Sequence, residues 1–193
     1  MNPGTHDTHP ERDRSQDLRP LLRLPLRVLG FASLILGVLA GVSRLGWVGL
    51  PPGIVQLIPI HGPLMVCGFF GTLIGVERAV ALGRRWAYLG PACTGTGAAA
   101  LLLGAPHILG AALVTLGSAG LVAASLQVYR VHAALHTATL VLGALSWLIG
   151  NALWLTHATV YDVVPWWSGF LVLTIAGERL ELKIGRASCR ERV

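Results

Sequence analysis

Three groups of residues could do chemistry in a chain that is otherwise apolar. The first is His61-x-x-x-Met65-x-Cys67. Imidazole, thioether and thiol are donors suited to copper, and a histidine beside small residues could ligate a haem iron axially. Steps of seven return to nearly the same helix face, so His61, Gly68 and Gly75 form one stripe with Met65 beside it. The glycines clear space there, either for a helix to pack closely or for a flat cofactor. Cys67 points away from that stripe, which leaves His61 and Met65 as the candidate metal ligands.

The second group is His136, Gly143, Gly150 and His157, again spaced by sevens, with His132 four residues before His136 on what reads as one helix face. His136 and His157 would lie about 30 Å apart along a helix, so they cannot share one cofactor. His157 would share the outer side with His61, and His132 and His136 would lie at the inner side. His61, Met65, His136 and His157 are thus the candidate cofactor-binding residues. The third group is Glu77-Arg78 and Glu178-Arg179, at the inner ends of two apolar runs. Neighbours in sequence do not face each other on a helix, so each Glu is expected to pair with the Arg of the other copy. These are read as structural ion pairs, and no residue is assigned a catalytic role.

The elements that must position these groups are long apolar runs. The chain is 53% hydrophobic and 12% charged, with a mean hydropathy of +0.64; soluble domains carry about a quarter charged residues. That excludes an ordinary soluble domain and predicts an all-α, multi-pass transmembrane helix bundle with lipid as its surroundings. No basic patch or phosphate loop points to nucleic acid. A bilayer core of roughly 30 Å needs about 20 apolar residues per helix, and six runs are predicted as spans: 26–43, 54–76, 86–103, 108–128, 133–155 and 163–182. Residues 1–25 are polar and predicted to be a disordered cytoplasmic tail. Basic residues favour the cytoplasmic side. With the N-terminus inside, every arginine of residues 1–182 except Arg44 falls there.

A duplication is also visible. Gly68-Phe69 with Glu77-Arg78 recurs as Gly169-Phe170 with Glu178-Arg179, offset by 101 residues, and Ala32–Gly37 is echoed by Ala138–Gly143, offset by 106. The first two spans would then match the fifth and sixth, giving a four-helix internal repeat. The end segment 183–193, KIGRASCRERV, back-translates to a common short-read sequencing adapter and is expected to be read-through, not native sequence. Without it the chain holds 11 Arg, no Lys and 8 Asp plus Glu, and the protein would continue beyond Leu182.

His61-x-x-x-Met65-x-x-Gly68-Phe69 resembles the H-x-x-x-M-x-x-G-F signature of NnrS-like bacterial membrane proteins. The resemblance implies an inner (cytoplasmic) membrane protein that binds haem b and copper and takes part in nitric oxide or nitrogen-oxide response, with His61 as ligand and Met65 near it. Glu77-Arg78 and the histidines of the fifth run have no counterpart in that signature. The other readings are a small-solute carrier with broken helices, for which Pro59, Pro63 and Pro165 are pointers, and a structural membrane subunit without cofactor.

Overall fold

The structure, a computed structural model, describes residues 20–47, 49–156 and 159–190, with side chains as far as Lys183. Among them there is no strand. Six rods follow one another: α1 (Pro20–Arg44), α2 (Ile58–Leu82), α3 (Leu89–Leu102), α4 (His107–Val131), α5 (Leu135–Leu155) and α6 (Val160–Arg190). Short breaks separate them for local reasons. Gly83 ends α2 in the left-handed conformation, φ 67°, and its N–H reaches back to Ala79 and Val80. Gly104 does the same after α3 at φ 78°. The Thr159 N–H and hydroxyl both donate to Asp162, which closes the first turn of α6.

Five helices are long and apolar enough to cross a membrane, against six predicted. The exception is α3, whose 14 residues rise about 21 Å; the predicted run 86–103 opens instead on a 3-10 turn, Arg85–Tyr88. Other boundaries also move. Residues 20–25, assigned to the tail, are helical, because a proline is welcome at a first helical position and the leucines after it continue the turn. Residues 1–19 lie outside the described residues. The helix predicted to stop at Leu182 runs on to Arg190 through Gly185.

Close contacts at glycines give the packing order. A Cβ on Gly37 would sit 2.8 Å from Met65 Cγ, and one on Gly30 3.8 Å from the Phe69 carbonyl, so α1 lies on α2. Gly68, Gly71 and Gly75 of α2 meet Ala98, Thr94 and Pro91 of α3 in turn. On α4, Gly110 meets Leu101 and Gly117 meets Thr94. Between α5 and α6, Gly143 meets Phe170 and Gly150 meets Trp166. In each pair one number rises as the other falls, so successive helices run antiparallel and α2 and α6 point the same way. The main core gathers around Trp147, fully buried and stacked on Phe170 at 4.9 Å, with Trp154 and Trp167 in edge contact at 5.8 Å.

Candidate functional site

The most irregular backbone lies in α2. Ile58–Ile60 is a 3-10 turn, His61–Pro63 is α-helical, and Leu64–Gly71 is a π-helix of 8 residues before α-helix resumes at Thr72. Pro59 and Pro63 have no N–H to donate into this ladder, and π segments are uncommon and concentrate where a helix serves a site.

Cys67, in the π segment, is buried, and four helices meet at it. Its thiol donates to Asn151 Oδ1 of α5 at 3.3 Å, and Trp167 Nε1 of α6 donates to the same oxygen at 3.0 Å. The Thr115 hydroxyl of α4 reaches the Asn151 carbonyl at 3.2 Å. Trp147 of α5 fits its ring edge against Gly71 and faces the Cys67 sulfur. Two donors converging on one oxygen fix which way the Asn151 amide is turned. Its Nδ2 is then left with no hydrogen-bond partner among the described residues although Asn151 is fully buried, while Trp147 Nε1 faces the Cys67 sulfur. Leaving a buried donor unmet costs about 1–3 kcal/mol, and Asn151 Nδ2 carries that cost. Another unpartnered atom, Thr72 Oγ1, faces Gly95 of α3 instead and is not part of this cluster.

The residues singled out by sequence are distributed differently. His61 is half-buried at the head of α2, its Nδ1 2.6 Å from the Ile58 carbonyl, and Met65 leans on Gly37 of α1. His136 opens α5. Because α2 and α5 run in opposite directions, it lies at the other end of the bundle from His61. His157 lies outside the described residues. His132 and His136 do not share a helix face: α4 ends at Val131, His132 sits in the connection at φ −134°, and α5 begins at Leu135. They do line one partly open cavity of about 690 Å³, with Arg78, Thr137 and Glu181. Arg78 has Glu178, Glu181 and Glu77 within electrostatic reach, and Glu77 has Glu178, Arg78 and Arg27. Arg78 of α2 thus has Glu178 of α6 near it, whereas Glu77 has Arg78 and Arg27 near it.

The glycine stripe behind His61 offers no groove for a porphyrin. Gly68 is filled by Ser33 and Ala98, Gly71 by Trp147 and Thr94, and Gly75 by Pro91, which is the packing use of small residues. Among the described residues no three His, Cys, Asp or Glu side chains come together as a metal site. His61 and Met65 lie at the opposite end of the bundle from His136, so these three do not come together as one donor set.

Sequence reasoning passed over the cluster. Asn151 stands in the sequence only as one of three amides in the apolar runs, with Gln56 and Gln127, and Cys67 as a thiol turned away from the His61 stripe. The available signal was that a polar side chain in such a run is a functional hypothesis by default. No curated protein and no solved structure matches the chain. A family described as Domain of unknown function (DUF8744) matches residues 23–192, a span that takes in ten residues beyond Leu182, and the chain belongs to that family.

Proposed function

We propose that the protein is a multi-pass carrier of a small, uncharged, polar solute, bound at the Cys67–Asn151 cluster. The reading places it in the bacterial inner membrane with six crossings and a cytoplasmic N-terminus. The observation that carries it is the fully buried Asn151 amide, its oxygen doubly engaged and its nitrogen unmet. An unmet N–H donor asks for a carbonyl or hydroxyl oxygen. No Asp, Glu, Lys or Arg lies in the middle of any apolar run, so the site has no counter-charge for an ion. The interrupted α2 supports the same reading, since carriers form their sites at breaks in helices.

The reading includes duplication of the bundle, in a register that the contacts favour over the first sequence match. Val28-Leu29-Gly30-x-x-Ser33-x-x-x-Gly37 recurs as Val141-Leu142-Gly143-x-x-Ser146-x-x-x-Gly150, offset by 113 residues and not 106. With α2 and α6 offset by 101, equivalent atoms meet. Gly30 approaches the Phe69 carbonyl and Thr72 Cβ as Gly143 approaches the Phe170 carbonyl and Leu173 Cβ. Ser33 caps Gly68 as Ser146 caps Gly169.

The test is uptake of labelled acetamide and glycerol by vesicles holding the purified chain. Saturable uptake above that of protein-free vesicles is expected. Uptake at the protein-free rate for both solutes, or a Soret band in the purified protein, would overturn the reading.

A further inference from the structure

A second polar cavity lies away from the Cys67–Asn151 cluster, at the end of the bundle where α2 stops and α5 begins. Its volume is about 690 Å³, which is the size of a small-ligand pocket. Four elements bring polar groups to it: Arg78 from α2, His132 from the α4–α5 connection, His136 and Thr137 from α5, and Glu181 from α6. Two of its nitrogens, Arg78 Nε and His136 Nδ1, are buried with no hydrogen-bond partner among the described residues. Thr137 cannot serve them, because its hydroxyl accepts from the Ala134 N–H and donates to the His132 carbonyl at 2.7 Å. Charge around the cavity is balanced. Glu178, Glu181 and Glu77 lie within electrostatic reach of Arg78, and Arg27 within reach of Glu77. Arg84 lines a smaller cavity of about 240 Å³ that shares His132 with the first, so three guanidinium groups stand against three carboxylates.

We propose that this cavity binds a zwitterion with a phosphate at one end and a primary ammonium at the other, the phosphate on Arg78 Nε and His136 Nδ1 and the ammonium on Glu181. Hydrogen bonds from a guanidinium to phosphate are charge-assisted, and a tetrahedral oxyanion offers separate oxygens to donors that come from two helices. It also selects the His136 tautomer whose Nδ1 carries the proton. An anion alone would meet the repulsion of the carboxylates beside Arg78, and a cation alone would leave both nitrogens unmet. A ligand bearing both charges answers both. The apolar part of the lining, Ala81, Val128 and Leu140, suits the carbon spacer between the charged ends. Free phosphoethanolamine and the headgroup of phosphatidylethanolamine share this chemistry. The site is separate from the Cys67–Asn151 cluster and does not rest on the uptake reading.

The test is calorimetric titration of the full chain in an uncharged maltoside detergent with O-phosphoethanolamine, inorganic phosphate and ethanolamine. One phosphoethanolamine per chain is expected, with phosphate and ethanolamine each bound about tenfold more weakly or worse, as loss of one charge-assisted bond implies. Glu181 is exposed, so Glu181→Gln should fold, and an unchanged melting curve checks it. That variant should bind phosphoethanolamine about tenfold more weakly while binding phosphate no more weakly than before, a split that general damage to the fold would not give. His136→Ala should weaken both ligands. Phosphatidylethanolamine added to the micelles separates the sources: competition with the soluble ligand makes the lipid headgroup the occupant, and unchanged binding makes it the free zwitterion. No binding of phosphoethanolamine, phosphate bound as tightly as phosphoethanolamine, or affinities that ignore both substitutions would overturn the proposal. Acetamide uptake should be unchanged in Glu181→Gln, which keeps this test apart from that of the Cys67–Asn151 cluster.

Discussion

Gly71→Ala is a one-carbon change with a large expected effect. An added Cβ would overlap Trp147 at Cζ2 and Cη2 and come within 3.2 Å of Thr94 Cγ2. Trp147 cannot retreat, because it is fully buried and stacked on Phe170 with an interplanar angle of 15°. Relief requires the indole or the α2 backbone to shift. Forcing extra carbon into a packed core costs about 1–3 kcal/mol, while alanine in place of helical glycine returns roughly 1 kcal/mol at most. The net is a loss of up to about 2 kcal/mol, and for a chain of this size each kcal/mol moves the melting midpoint by about 2–4 °C. Gly53→Ala, where nothing lies within 4 Å, is the matched control. Circular dichroism melts in detergent should place Gly71→Ala several degrees below wild type and Gly53→Ala level with it. Trp147→Phe should restore part of the loss in the double variant, as coupled neighbours do. A Gly71→Ala midpoint equal to wild type would refute the packing of Trp147 into α2.

Other consequences can be read with the same preparations. Thr72→Val removes an unpartnered buried hydroxyl without changing shape, so the melting midpoint should hold or rise by the equivalent of about 1 kcal/mol; a clear fall would mean that the hydroxyl has a partner. Arg78→Leu withdraws the cation that faces Glu77, Glu178 and Glu181. It should destabilise by about 1 kcal/mol, and Glu178→Gln in the same chain should recover part of it; additive losses would dissociate the two residues. Gly83→Ala places a side chain at φ 67° and should cost about 1 kcal/mol through strain alone, with melting behaviour as the check. Because the stripe behind His61 is filled, purified protein should show no visible haem absorption and His61→Ala should not alter its spectrum; a Soret band lost in that variant would restore the ligand reading.

Much of the helical order was legible because apolar runs and Gly/Pro breaks are local signals. The Gly83 and Gly104 interruptions fall where they were expected, whereas Pro52–Val55 forms a one-turn helix ahead of α2. At α3 the helix is shorter than the predicted run 86–103, because Trp86–Tyr88 is apolar enough to extend the run but forms a 3-10 turn. The glycine stripe was read correctly as cleared space. What fills it could not be read, since Ser33, Ala98, Pro91 and Trp147 come from three other helices. The same reason hides the Asn151 cluster, whose members span residues 67 to 167 and meet only after packing.

The central claim is that the unmet nitrogen of Asn151 is there for a solute, and initial flux of labelled acetamide into vesicles tests it most directly. Wild type and Thr72→Val should give the same saturable rate, and folded Asn151→Leu should fall to the rate of empty vesicles. A flux that Asn151→Leu leaves unchanged, or that never saturates in wild type, would contradict the account.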